Sequence, residues 1–142
     1  MEEVQEKTLQ RESLRIEIPK FTTPFEEIDQ DVQLAVRCAA DKKGMDIKVL
    51  DLRQIATFTE YFVIVSGSNQ RQVQAISDEI TEQLKKQIGT RAIRVEGYAT
   101  GEWVLLDFGD FVVHVFNNDA REFYDLERLW LDAQKVEIPA DL

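Results

Sequence analysis

The stretch Tyr61-Phe62-Val63-Ile64-Val65, followed by Ser66-Gly67-Ser68-Asn69, decides the fold class. A strand with one wet face alternates apolar and polar residues. An unbroken β-branched and aromatic run instead suits a central strand covered on both faces. Ser66 to Asn69 supplies turn chemistry and a cap for the helix that follows. That helix carries Val73, Ile76, Ile80, Leu84 and Ile88 on one stripe, and Gly89 terminates it.

Upstream, Ile47 to Leu52 alternates weakly and predicts a second strand. Before it, Thr23-Pro24-Phe25-Glu26 reads as a helix start, with Thr23 at the cap, Pro24 at the first position and Glu26 completing a capping box. Ile28, Val32, Ala35, Val36 and Ala39 then recur at helical spacing, so a helix is expected over 24–43, stopped by Gly44. Downstream come a short strand from Ala92 to Val95, the loop Glu96 to Gly101, and strands over Trp103–Phe108 and Phe111–Phe116. Gly109-Asp110 between these two suits a tight hairpin. Asp119-Ala120-Arg121-Glu122 opens a last helix bearing Phe123, Leu126 and Trp130. The order predicts an α/β (α+β) domain, a mixed sheet of about five strands flanked by helices.

At 142 residues the chain suits one domain. We expect an acidic N-terminal extension over residues 1–22 and a single domain over 23–142. No apolar run reaches the roughly 20 residues of a membrane-spanning helix. Glu2, Glu3, Glu6, Glu12 and Glu17 are unlike a secretory signal or a transit peptide, which implies action where the chain is made, in the cytoplasm. The lone Cys38 excludes an internal disulfide and reads as a small buried side chain. The formal net charge of −10 argues against wrapping nucleic acid, whose affinity comes largely from phosphate neutralisation, so no direct nucleic-acid binding is expected beyond a peripheral contact through a local basic patch. It favours a basic protein partner.

Catalytic chemistry is hard to assemble. His114 is the single histidine, so zinc sites built on Cys and His are out of reach. Ser66 or Ser68 could in principle pair with it, but neither has a glycine two residues away on each side, as a nucleophile elbow needs. Strand alternation puts His114 beside Val112 and Phe116, which favours a structural role over an interface role. Gly67-Ser68 at a helix start could hold an anion, as nucleotidyltransferases do. Those enzymes then need clustered carboxylates for metal ions, and neither Ser66–Val73 nor Ala92–Val95 contains an acid. Catalytic, metal-ligating and cofactor-binding residues are therefore expected to be absent. Binding is better served. Trp103, Leu105 and Asp107 share one strand face, with Tyr98 shortly upstream, and aromatic residues dominate binding hot spots.

The segments Phe58–Val73, Val95–Phe116 and Arg121-Glu122-Phe123-Tyr124-Asp125-Leu126-Glu127-Arg128-Leu129-Trp130 closely resemble the iojap family, called ribosomal silencing factor in bacteria. The resemblance covers about residues 29–132. Where many members carry aspartate, this chain has Glu60. It implies a nucleotidyltransferase-like fold without the catalytic carboxylates. It also implies docking on large-subunit ribosomal protein number fourteen, with at most a peripheral contact to ribosomal RNA, so that small-subunit joining is blocked and translation repressed. The interface it implies is Gly101, Glu102 and Trp103, with Leu105 and Asp107 downstream. Homodimers occur in the family. A large-subunit assembly factor, or an enzyme using Asp107, Asp110 and Asp125, are the alternatives.

Overall fold

The computed structural model describes residues 22–142, so nearly all of the expected extension lies outside the described residues. Seven strands form one sheet in the order β1-β7-β2-β3-β6-β5-β4. In chain order these are β1 Thr23–Pro24, β2 Met45–Asp51, β3 Tyr61–Gly67, β4 Arg94–Glu96, β5 Trp103–Asp107, β6 Phe111–Asn117 and β7 Gln134–Glu137. The helices are α1 Gln30–Asp41, α2 Gln70–Gln83, α3 Asn118–Tyr124 and α4 Leu126–Leu129. β3 pairs in parallel with β6 and antiparallel with β2, and every residue of β3 is buried. The central-strand expectation holds for the stated reason: apolar cover lies on both faces.

On one face α1 and α2 press Val32, Val36, Val73, Ile76 and Ile80 against Val63, Val65, Val104, Leu106 and Val113. On the other, Leu50, Phe62, Ile64, Val112 and Phe116 meet Ala120, Leu126 and Ala133 from the C-terminal segment. The second cover is thinner, because α3 and α4 span only seven and four residues. Asn69 caps α2 as expected, its side chain accepting from the Gln72 amide at 2.8 Å.

Two expectations need correction. The sheet has seven strands rather than about five, since β1 and β7 were not foreseen. The helix over 24–43 begins instead at Gln30, and the capping box does not form. Thr23 and Pro24 pair in parallel with Val136 and Glu137 of β7, and the Thr23 hydroxyl donates to Asp51 at 2.7 Å. Phe25–Glu27 make one 3₁₀ turn, and Ile28 returns to extended backbone. Burying Phe25 and Ile28, each 3% exposed, together with a long-range hydrogen bond, outweighs a local cap. A capping side chain contributes only about 0.5–2 kcal/mol.

Candidate docking face

The alternation of β5 sorts its side chains. Val104 and Leu106 are buried beneath α2, while Trp103, Leu105 and Asp107 are half-buried on the opposite face. There Trp103 joins a continuous aromatic tract across the sheet. Phe58 lies 5.9 Å from Trp130, Trp130 5.7 Å from Phe62, and Phe62 4.6 Å from His114, ring centre to ring centre. Trp103 then lies 5.9 Å from His114 and 4.7 Å from Tyr124, which meets Phe123 at 5.0 Å. The middle of the tract is buried and its ends are not: Phe58 is 62% exposed and Phe123 80%. Leu129 and Leu131, also largely exposed, follow on the same C-terminal segment. Unusually exposed apolar area of this kind marks an interaction surface.

The start of β5 is held firmly. Gln70, Gln74 and Asp78 recur every fourth residue along one side of α2, and all three grip the preceding loop. Gln70 donates to the Ala99 carbonyl at 2.7 Å and Gln74 to the Tyr98 carbonyl at 2.8 Å. Asp78 accepts from the Tyr98 hydroxyl at 2.9 Å. Gly97 turns the chain at φ 79°, where an added Cβ would stand 2.0 Å from the Trp103 carbonyl oxygen. The Asn117 amide donates to the Glu102 carbonyl at 2.9 Å, locking the strand end to β6.

The residues expected at an interface separate on this scaffold. Glu102, Trp103 and Leu105 present side chains to the aromatic side. Asp107 is committed nearer the hairpin, accepting from the Gly109 amide at 2.8 Å and standing 3.6 Å from Arg94. Gly101 is buried and packs against Gln70. Tyr98 belongs to the helical side, beside Ser77, Thr81 and Lys85. His114 is 4% exposed and lies beneath the Trp103 indole, so it supports the face rather than forming its surface. Burial pushes its pKa down to about 4, which keeps the imidazole neutral.

Phe58, Tyr124, Phe123 and Trp130 were not singled out for binding by the sequence. The expectation of one last helix bearing Phe123, Leu126 and Trp130 is corrected: the chain breaks at Asp125, in left-handed backbone with φ 46°, Trp130 falls just past the second piece, and Phe123 turns to solvent. A signal was available, because Leu126, Leu129, Trp130 and Leu131 are more apolar bulk than one short helix can bury.

Acids border the tract. Glu102, Asp119 and Glu122, with Asn117, Phe123 and Tyr124, line a depression of about 550 Å³. Beneath it the Arg121 guanidinium donates to Ser66 at 2.8 Å, to the Asp46 carbonyl at 2.8 Å and to both Glu127 oxygens at 3.2 and 2.9 Å. Ser66 is thus buried and engaged, while Ser68 hydrogen-bonds Gln72 at 2.8 Å. His114 Nδ1 is taken by Trp103, so neither serine has an imidazole base. Among the described residues no group of three His, Cys, Asp or Glu side chains could hold a metal ion. The Cys38 thiol is buried, and burial raises its pKa to about 11, far from a reactive thiolate.

Comparison with known proteins agrees with this regulatory rather than catalytic reading. The chain is 43% identical over 107 residues to the ribosomal silencing factor RsfS of Halalkalibacterium halodurans, covering 75% of this chain and 91% of that one. It is 30% identical over 118 residues to a mouse protein named for mitochondrial assembly of the ribosomal large subunit, covering 78% of this chain and 51% of that one. A crystal structure from Chromobacterium violaceum superposes with a TM-score of 0.71 at 35% identity, covering 80% and 91% of the respective chains. The family model described as "Ribosomal silencing factor during starvation" matches residues 25–142, from the 3₁₀ turn after β1 to the last residue. The chain therefore belongs to the ribosomal silencing factor family, whose named role is regulatory and non-enzymatic.

Proposed function

We propose that the chain represses translation in the cytoplasm by occupying large-subunit ribosomal protein number fourteen, so that the small subunit cannot join. The observation that carries this is the aromatic tract ending in exposed Phe58 and Phe123 and bordered by Glu102, Asp119 and Glu122. Large rings supply contact area at small entropic cost. Carboxylates at the rim steer and select a basic partner. Steric exclusion requires no chemistry, only residence on surface that the other subunit needs. A second copy of the chain could use the same apolar face, and homodimer and docked monomer would then compete.

The test is co-sedimentation of the pure chain with isolated, mature large subunits, followed by addition of small subunits. Binding together with a rise in free subunits supports occlusion. A chain that leaves mature subunits indifferent sinks it. The mouse relative's name supports a second reading, an assembly factor. That reading expects binding to immature large subunits and no effect on joining of mature ones.

A further inference from the structure

The formal charge of −10 repels phosphate on average, yet one stretch breaks the pattern. From Gln83 to Val95 the chain carries Lys85, Lys86, Arg91 and Arg94 and no acid. All four cations are exposed. The fold gathers them at the corner where α2 gives way to the edge of the sheet. Lys85 and Lys86 sit on the wide π turn Leu84–Ile88, and Gly89, at φ 82°, reverses the chain there. Arg91 lies in the connection that follows, and Arg94 opens β4, whose outer side pairs with no other strand among the described residues.

Arg94 is already matched, 3.2 Å from Glu96 and 3.6 Å from Asp107. Lys85, Lys86 and Arg91 form no ion pair among the described residues. Lysines near a helix C-terminus complement its dipole, which accounts for Lys85 and Lys86 but not for Arg91. Ile88 and Ile93, 44% and 72% exposed, stand among these charges, an arrangement poorly suited to mere solvation.

We propose that Lys85, Lys86 and Arg91 rest on the phosphate backbone of ribosomal RNA, a sequence-independent contact at the β4 edge, on the helical side of the sheet rather than on the protein-docking face. The inference rests on the docking reading for the particle that presents the RNA. β4 pairs with β5, the strand that carries Trp103, so a partner seated on the aromatic face brings its surroundings to this edge. An RNA backbone suits three cations spread over two consecutive segments, because phosphates are read as charge density rather than shape. An acidic protein segment would call for a shaped cleft, and the depression that Lys85 lines also carries Asp78 and Glu82, which would repel such a segment.

The experiment replaces Lys85→Gln, Lys86→Gln and Arg91→Gln together and measures affinity for large subunits across a potassium chloride series. Isolated ribosomal protein number fourteen and a short RNA duplex serve as separate probes. Each phosphate contact contributes about 0.7–0.9 to the slope of log affinity against log salt. The triple variant should therefore lose about 2–3 from that slope on subunits, lose its binding to the duplex, and keep wild-type affinity for the isolated protein. An unchanged slope overturns the proposal. Weaker binding with the slope retained assigns the corner to an acidic protein, and parallel loss against the isolated protein assigns it to the docking face; either result overturns it. A wild-type chain that ignores subunits but binds the duplex sinks the docking reading alone, and one that binds neither sinks both.

Discussion

The indole Nε1–H of Trp103 donates to Nδ1 of His114 at 3.1 Å, across the antiparallel pairing of β5 with β6. This bond joins the exposed side of the docking face to the core. It makes Nδ1 the acceptor, so the neutral ring carries its proton on Nε2, which is buried without a hydrogen-bond partner among the described residues. It also sets the angle at which the indole meets Tyr124 and Phe116, at 4.7 and 4.9 Å.

Trp103 should accordingly behave as a hot spot. Trp103→Glu is expected to weaken binding to the ribosomal protein by on the order of 2–4 kcal/mol. Trp103→Phe keeps most of the contact area but orphans the buried Nδ1, destabilising the fold by about 1–3 kcal/mol. Calorimetry reads the first effect and urea denaturation the second. Wild-type affinity in the Trp103→Glu variant would place the interface elsewhere.

His114 should make stability depend on pH in a defined window. Its folded pKa of about 4 lies below the ordinary value of 6.5, so the unfolded chain takes up the proton first as pH falls. Stability is full above about pH 6.5 and declines from there toward pH 4, by on the order of 3 kcal/mol. Burial pushes the Asp51 and Glu127 carboxyls up, but hydrogen bonds and charge from Arg53 and Arg121 outweigh it and hold both below the usual range. Their stabilisation is present above the ordinary carboxylate pKa and is lost only at more acid pH. Burial raises the Asp31 and Glu60 carboxyls, which gain stability rather than lose it as pH falls, so with a single histidine in the chain a decline between pH 6.5 and 5 reports on His114. Urea midpoints at pH 7, 6 and 5 should fall in the wild type and not fall in His114→Gln. A level wild-type profile would show that the imidazole is not held neutral in the fold.

What the sequence disclosed, and what it concealed, divides along local and non-local physics. β3, the α2 cap at Asn69 and the β5–β6 hairpin are written in consecutive residues, and each stands near its expected position. β1 and β7 are short strands made by pairing residues more than a hundred positions apart, which periodicity cannot show. The docking face divides the same way. Trp103 and Leu105 were visible through alternation along one strand. Phe58 and Tyr124 join them only because three segments converge on the second face of the sheet. Tyr98, close to Trp103 in sequence, is carried to the helical side by its hydrogen bond to Asp78.

The clamp on the 97–101 loop yields a graded pair of variants. Gly97→Ala places a methyl group against the Trp103 carbonyl in left-handed backbone, where an L-residue alone costs roughly 1–2 kcal/mol. Destabilisation above about 2 kcal/mol is expected once the steric conflict is included. Gln74→Ala removes one hydrogen bond to an exposed carbonyl and should change stability by no more than about 1 kcal/mol. Its larger effect should be on binding, because the loop that aims Trp103 gains freedom. Equal binding by Gln74→Ala and wild type would show that β5 holds its geometry without the clamp.

Arg121 ties this face to the rest of the molecule. One guanidinium bridges α3, the end of β3, the irregular start of β2 at Asp46 and α4 through Glu127. Its side chain is 9% exposed, so deleting the charge takes the donor away from the Ser66 hydroxyl and from both Glu127 carboxylate oxygens. Arg121→Met should cost about 1–3 kcal/mol, because the guanidinium is buried while its Glu127 partner is 30% exposed and water takes up part of the lost interaction. Arg121→Lys should recover little, because an ammonium cannot reach acceptors lying in three directions. The double variant Arg121→Met with Glu127→Leu should be less unstable than the sum of its parts by about 1–3 kcal/mol, since the orphaned carboxylate is gone. Binding should fall with Arg121→Met even where the protein stays folded, because α3 carries Tyr124 and Phe123 and its seat on the sheet depends on this one side chain. Additive single and double effects would mean that Arg121 and Glu127 act independently, and the coupling between buried network and docking face would be lost.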